Sequence, residues 1–299
     1  MPAITFSEAW QGYRRAEARL PAKPPPVMPC RIGGIAEIAD GFDLIVLDAW
    51  GVLNLGAAPI AGASAAIAAL RASGKRLMIA SNSGSRDPAA SAAWLGTLGF
   101  TFRVTEIASG LALVPEVLDG LRLPRPLGLI ADAPAPLAAV TSAMQPLADD
   151  PADYDRVSAI LFLSSDDWTP ARQALLKATL ERRPRPLIIG NPDIASPEPE
   201  GMTAEPGCYA HRIAAATGIR PIFCGKPYPA LYERIRRRHR DIAPERVLCV
   251  GDTPHTDILG GRAAGFGTLL VETGFCRGED VLALARESGI WPDFIAAGL

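Results

Sequence analysis

Four polar residues of this sequence stand at or near the ends of short apolar runs. They are Asp48, Ser81, Lys226 and Asp252. A carboxylate can act as an oxygen nucleophile or bind a hard cation, a hydroxyl can donate a hydrogen bond to an anion, and an ammonium group can neutralise one. These types of side chain predict a site for an anionic ligand such as a phosphate group.

Each of these residues also has an ordinary structural explanation. Asp48 can simply end a strand, the serine-rich stretch 81–85 is typical of a loop, and Lys226 can be a solvated turn residue. Asp257 can cap a helix. The argument for chemistry therefore depends on the order and spacing of these residues along the chain.

The elements that must position them alternate between strands and helices. The predicted strands flank alanine-rich helical segments, a pattern typical of βαβ units in a parallel sheet. The strands of the two terminal blocks are predicted at 42–47, 76–80, 221–224, 246–250 and 268–271. Further strands are predicted between the blocks, at 127–130, 159–163 and 187–189. Because ligands bind outside the carboxyl ends of parallel strands, the polar residues are expected to share one crevice.

This pattern predicts an α/β protein with a parallel, Rossmann-like core. We assign the core to residues 28–118 and 219–299, an inserted α/β domain to 119–218, and an N-terminal arm to 1–27. The uncharged stretch 50–70 is long enough to span a bilayer, but its proline and glycines favour burial in a globular protein. We therefore predict no membrane segment.

Composition excludes several classes of partner. Thirty basic and 32 acidic residues give a net charge of −2, so no overall field attracts nucleic acid or anionic lipid. The basic run 236–240 suits the C-terminus of a helix. Five cysteines without close pairs favour a reducing cytoplasm over a disulfide framework. A small-molecule partner is expected, and the sequence leaves open whether the chain forms a homo-oligomer.

The order of the motifs closely resembles the haloacid dehalogenase (HAD) superfamily, and within it the capped class IIA phosphatases, in a branch whose first motif reads Asp-x-Trp-Gly-Val. The resemblance runs from about residue 28 to the C-terminus. Its four motifs are Asp48 to Gly56 with Pro59 to Ala63, Ser81-Asn82-Ser83, Gly225-Lys226-Pro227 and Gly251 to Asp257. The segments Asn191-Pro192-Asp193 and 207–218 resemble the cap region of the same class.

The resemblance implies a HAD core with a large cap inserted between the second and third motifs. It implies a Mg²⁺-dependent phosphatase that hydrolyses a small phosphate ester, a sugar phosphate or nucleotide-like compound, through an aspartyl phosphate on Asp48. The implied Mg²⁺ ligands are Asp48, Asp252 and the main-chain carbonyl of Trp50, with Asp257 behind them.

The same resemblance assigns the phosphate contacts. Ser81 and the main-chain amide of Asn82 would donate hydrogen bonds to the phosphoryl oxygens. Lys226 would supply positive charge to the transferring group as a catalytic residue.

Trp50 departs from the pattern of most phosphatases in the superfamily, which carry a second aspartate there as general acid and base. An indole does not titrate, so hydrolysis of unactivated alkyl esters should be slower by about 10² to 10⁴ unless another group substitutes. His255 is the first candidate substitute. Two alternatives remain: a dehalogenase-like hydrolase, which does not explain the paired acids Asp252 and Asp257, and a low-turnover phosphometabolite-binding module.

Overall fold

The structure is a computed structural model that describes residues 3–132 and 136–299. Its strands are β1 (Ala3–Ile4), β2 (Cys30–Arg31), β3 (Leu44–Leu47), β4 (Asn54–Leu55), β5 (Ala58–Pro59), β6 (Arg76–Ser81), β7 (Ile107–Ser109), β8 (Gly128–Ile130), β9 (Gln145–Pro146), β10 (Ile160–Phe162), β11 (Leu187–Ile189), β12 (Ala195–Pro197), β13 (Met202–Ala204), β14 (Ile222–Phe223), β15 (Val247–Gly251), β16 (Gly267–Val271) and β17 (Phe294–Ala296). Its α-helices are α1 (Phe6–Ala16), α2 (Ala63–Ala72), α3 (Pro88–Thr97), α4 (Val114–Leu121), α5 (Ala138–Thr141), α6 (Pro151–Arg156), α7 (Pro170–Arg182), α8 (Pro206–Thr217), α9 (Pro229–Arg238), α10 (Leu259–Ala263) and α11 (Val281–Ser288).

The largest sheet has seven parallel strands in the order β2-β17-β16-β15-β3-β6-β7. Its inner strand β3, which lies between β15 and β6, is buried along its whole length, as expected for a parallel strand that is covered on both faces. The predicted α/β fold with a parallel sheet is confirmed. The neighbours β15, β3 and β6 end at the same edge, which places Asp252, Asp48 and Ser81 side by side.

A second parallel sheet contains five strands in the order β14-β11-β10-β8-β9. Three of its strands fall at the positions predicted between the two core blocks. The strand β14, which the sequence assigned to the core block, pairs with β11 of this second sheet instead. Lys226 therefore reaches the site from a strand of the smaller sheet. The domain boundaries at 118/119 and 218/219 stay predictions.

Local sequence explains where several helices begin. Asp87 caps α3 by accepting a hydrogen bond from the amide of Ala90, and Pro88 occupies the first helical position. Thr169 caps α7 in the same way, ahead of Pro170. These start residues satisfy backbone amides that have no partner inside the helix.

Within the predicted N-terminal arm the structure has the helix α1, which the sequence analysis did not predict. Thr5 and Glu8 form a capping box at its start. Its buried face consists of Ala9, Trp10, Tyr13 and Ala16. The strand β1 before the helix pairs with β13. The start of the segment is therefore held by this strand pairing, and the helix by its buried face.

The described residues contain no helix long and apolar enough to cross a membrane. The uncharged stretch 50–70 forms a turn, the β4-β5 hairpin and most of α2. All five cysteines are unpaired thiols.

Candidate active site

Asp48 and Lys226 form an ion pair at the edge of the main sheet. The Nζ atom of Lys226 lies 2.8 Å from Oδ1 of Asp48 and 2.7 Å from Oδ1 of Asp257. The lysine is only 1% exposed. Burial alone would lower its pKa, but Asp257 and Asp48 outweigh that effect and hold the pKa of Lys226 above its usual value. The amine is therefore a permanent positive charge next to the Asp48 carboxylate.

Three carboxylates meet at this point. Asp48, Asp252 and Asp257 each offer an oxygen atom, and these atoms lie within 4.8 Å of one another. Burial, together with the charge of Asp257, raises the pKa of Asp252 to about 7. Burial also raises the pKa of Asp48, despite the nearby Lys226. A cluster of buried oxygen ligands that repel one another fits a hard divalent cation such as Mg²⁺, whose charge would offset the repulsion.

The backbone around Asp252 is shaped to hold its carboxylate. The amide of Phe275 donates a hydrogen bond of 2.6 Å to Oδ2, and the hydroxyl of Thr253 donates one of 3.0 Å to Oδ1. Gly51 has a φ of +81°, and a Cβ atom there would overlap the Asp252 carboxylate. Glycine at position 51 is therefore required both by the left-handed backbone and by this close approach.

Asp257 is held by the loop after β15. This loop continues as a π-helical turn over Pro254–Ile258 that leads directly into α10. The amide of Thr253 donates a hydrogen bond of 3.3 Å to Oδ2 of Asp257. The turn thus directs Asp257 towards Lys226.

Asn82 connects the second motif to the third. Its Oδ1 accepts a hydrogen bond of 2.7 Å from the amide of Lys226, and its Nδ2 donates one of 3.0 Å to the carbonyl of the same residue. The same Nδ2 donates a hydrogen bond of 2.8 Å to Oδ1 of Asp193. The side chain of Asn82 therefore fixes the lysine backbone, a role beyond the main-chain phosphate contact that the resemblance implies.

A cavity of about 410 Å³ adjoins Asp48. The main sheet and its loops contribute Asp48, Ser81, Asn82, Arg86 and Trp94 to its wall. Residues of the predicted cap contribute Ser164, Asp166, Asn191, Asp193, Glu198 and Glu205. The cavity therefore lies between the two sheets, beside Asp48, and has room for a small phosphate ester.

Trp50 lines the same cavity, but its indole is used for packing and for one contact across it. The ring stacks on Trp94 with centroids 5.2 Å apart. The guanidinium of Arg86 lies over the ring of Trp94, 4.6 Å from its centroid. The Nε1 atom of Trp50 donates a hydrogen bond of 2.8 Å to the carbonyl of Pro197. The side chain thus joins the first motif to β12. It has no carboxyl group that could act as a general acid or base.

His255 does not line the cavity, so the structure does not support it as a substitute acid or base. It is fully buried, stacked on Tyr13 at 4.9 Å and packed edge-on against Trp10 at 5.0 Å. Its Nε2 lies 3.2 Å from Oε1 of Glu17. Burial lowers the pKa of His255 despite this carboxylate. The residues that enclose His255 lie in the N-terminal helix region, far away along the chain, so the sequence pattern around His255 did not indicate its burial.

Several cavity residues were missed as site residues. Asp193 appears in the sequence only as part of the Asn191-Pro192-Asp193 motif of the cap region. Glu205 precedes α8 and has no local pattern that marks it. Burial raises the pKa of Asp193 to about 6 and that of Glu205 to about 8. Nearby acidic side chains add to both effects, and this mutual influence depends on the folded chain.

Comparison with known proteins identifies the family. A model described as haloacid dehalogenase-like hydrolase matches residues 45–124, and one described as "HAD-hyrolase-like" matches residues 223–299. A glycerol-3-phosphate phosphatase from Gallus gallus is 30% identical over 277 residues, which cover 84% of this chain and 88% of that protein. The chain belongs to the haloacid dehalogenase-like hydrolases, as the order of its motifs predicted.

Solved structures of the same kind match most of the fold. A possible sugar phosphatase of the HAD superfamily from Cytophaga hutchinsonii has a TM-score of 0.78 at 26% identity, covering 91% of this chain and 98% of that one. A glycerol phosphate phosphatase from Mycobacterium tuberculosis, solved in complex with magnesium, has a TM-score of 0.66 at 26% identity, covering 87% and 75% respectively. The similarity thus extends over both sheets.

Proposed function

We propose that this chain is a Mg²⁺-dependent phosphatase that hydrolyses a small phosphate ester through an aspartyl phosphate on Asp48. The observation that carries the proposal is the cluster of Asp48, Asp252 and Asp257 around the buried Lys226, at the edge of a cavity between the two sheets. The phosphatase relatives support the same reaction. Residues 119–218 would act as a cap that selects the alcohol part of the substrate.

The residues have separate roles in this proposal. Asp48, Asp252 and the carbonyl of Trp50 would hold Mg²⁺, which when bound neutralises negative charge between the carboxylate and the phosphate. Lys226 orients the Asp48 carboxylate and offsets the charge of the transferring group. Asp257 positions that lysine.

The phosphoryl group needs further donors. Ser81 and the amide of Asn82 would donate hydrogen bonds to its oxygens, since both residues line the cavity. In the first step an oxygen of Asp48 attacks phosphorus and the bond to the leaving oxygen breaks. In the second step water attacks phosphorus and releases Asp48 and inorganic phosphate.

The alternatives receive less support from the site. Dehalogenase-like displacement at carbon needs no cation, so it leaves the cluster of three carboxylates without a purpose. A binding module without turnover is favoured by one observation, the indole of Trp50 at the usual acid position. A cytoplasmic location and the oligomeric state stay predictions.

The test is phosphate release from a panel of sugar phosphates, polyol phosphates, nucleoside monophosphates and aryl phosphates. It compares the wild type with and without Mg²⁺ and includes Asp48→Asn. We expect release that requires Mg²⁺ and is abolished in the variant. Halide release from haloacids without Mg²⁺ would instead establish the dehalogenase alternative, and Mg²⁺ binding without any turnover would establish the binding module.

A further inference from the structure

Neither Trp50 nor His255 can carry a proton to or from a substrate in the cavity. The indole of Trp50 does not titrate and donates to Pro197, and His255 is enclosed by Trp10 and Tyr13. Hydrolysis of an alkyl phosphate still needs a proton for the leaving oxygen and a base for the attacking water. We propose that Asp193, from the predicted cap, is the acid and base of this site; the inference rests on the proposed phosphatase function.

The position of Asp193 is fixed from two directions. Its Oδ1 accepts the hydrogen bond of 2.8 Å from Asn82, whose side chain also binds both backbone polar groups of Lys226. Its own amide donates a hydrogen bond of 3.0 Å to Oδ1 of Asn191. The side chain of Asn82 therefore links the carboxyl group of Asp193 to the second motif and to the backbone of Lys226.

The second carboxyl oxygen of Asp193 is available to the substrate. No hydrogen bond reaches Oδ2 from the part of the chain that the structure describes, and the residue lines the same cavity as Asp48. A group on the cap side of the cavity faces the alcohol part of an ester whose phosphorus is attacked by Asp48. That is the side on which a leaving oxygen needs its proton.

The charges around Asp193 suit both directions of proton transfer. Burial raises the pKa of Asp193 to about 6, against the opposing effects of Lys226 and the Asn82 hydrogen bond, and Asp257 adds to the rise. The charge of Asp193 also helps to raise the pKa of the buried Tyr13 hydroxyl and of the Glu205 carboxyl. An acid whose two forms are both populated near neutral pH can donate and then accept a proton within one cycle.

Glu205 is the nearest competitor for this role, since it lines the same cavity and has a pKa raised to about 8. Both of its oxygens already have donors. Asn191 donates a hydrogen bond of 2.9 Å to Oε2, and Thr203 donates one of 3.2 Å to Oε1. The geometry therefore favours Asp193, and Glu205 becomes a comparison in the test.

The proton balance is complete with water as the only co-reactant. As Asp48 forms its bond to phosphorus, the ester P–O bond breaks, and the neutral carboxylic acid of Asp193 gives its proton to the leaving oxygen. The resulting Asp193 carboxylate then takes a proton from water while the water oxygen attacks phosphorus. The bond from Asp48 to phosphorus breaks, phosphate leaves, and both residues return to their starting states.

The test measures kcat/KM with Mg²⁺ for aryl and alkyl phosphates of graded leaving-group pKa. It compares the wild type with Asp193→Asn and Glu205→Gln; asparagine keeps an oxygen for the Asn82 hydrogen bond. In the wild type, kcat/KM should depend only weakly on the pKa of the leaving group. In Asp193→Asn, kcat/KM should fall by a factor of about 10² to 10⁴ for alkyl esters. It should fall less than about tenfold for p-nitrophenyl phosphate, whose leaving group needs no proton. The variant should also show a burst of nitrophenolate, because dephosphorylation has lost its base.

Three results would overturn the inference: a steep dependence already present in wild type, an unchanged dependence in Asp193→Asn, or the same change in Glu205→Gln instead. Retained kcat/KM for p-nitrophenyl phosphate shows that Asp193→Asn is folded, and the wild-type dependence tests the idea even if that variant does not fold. Failure of the wild type to hydrolyse any ester would refute the proposed function itself, which is a different outcome.

Discussion

Replacing Glu205 by glutamine tests whether the Glu205 carboxyl is protonated in the folded protein. The measured quantity is the free energy of unfolding as a function of pH. Burial and nearby acidic side chains raise the pKa of this carboxyl from 4.5 to about 8, so the folded protein holds a proton that the unfolded chain releases between these values. The raised pKa therefore stabilises the fold at low pH, and the stabilisation is lost as pH rises through 8.

The size of the effect follows from the two pKa values. At up to 1.36 kcal/mol per pH unit, the free energy of unfolding of the wild type should fall by about 3.5 kcal/mol between pH 5 and pH 8 through this group alone. Glutamine has no such proton and keeps an acceptor for Asn191 and a polar partner for Thr203. Glu205→Gln should therefore gain stability relative to wild type as pH rises.

The assay is urea unfolding of wild type and Glu205→Gln at pH 5, 6, 7, 8 and 9 without Mg²⁺. Glu181→Gln is the matched control, because Glu181 lies on α7 in an exposed ion pair with Lys177. The difference in the free energy of unfolding between Glu181→Gln and wild type should change by less than about 0.5 kcal/mol across this pH range. A constant difference between wild type and Glu205→Gln would refute the argument that the carboxyl is protonated in the fold.

Two further predictions concern the metal ligands and the N-terminal helix. Calorimetric titration should show that Asp252→Asn loses Mg²⁺ affinity and that Trp50→Phe keeps it, since only the carbonyl of residue 50 is a proposed ligand; the reverse pattern would contradict the ligand set. Tyr13→Phe removes the hydroxyl that accepts a hydrogen bond of 3.2 Å from the buried amide of Ile194, so urea unfolding should show a loss of about 1–3 kcal/mol. An unchanged stability would mean that this amide finds another partner.

The sequence predicts the site best where chemistry and periodicity coincide. Asp48, Ser81 and Asp252 were predictable because buried strands of one parallel sheet must end at the same edge. Lys226 was found by its motif, but the pairing of β14 with the second sheet was not. That pairing depends on contacts of a two-residue strand, for which a sequence pattern carries too little information.

Contacts between distant segments account for the rest. The capping box at Thr5 and the apolar face of α1 were readable in the sequence, yet nothing local shows that this face covers His255. The raised pKa of Asp193 likewise depends on burial in the folded chain and on the charge of Asp257, which lies in another segment of the sequence. Burial and charge at such positions arise only when the fold brings these segments together.

The central claim is that Asp48 becomes phosphorylated, and rapid quenching with peptide mass analysis tests it most directly. Wild type is mixed with Mg²⁺ and p-nitrophenyl phosphate, quenched in acid within milliseconds, and digested. We predict a phosphoryl group on the peptide that contains Asp48, and none in Asp48→Asn. Phosphate release by Asp48→Asn at the wild-type rate, or a phosphoryl group on another residue, would contradict the account.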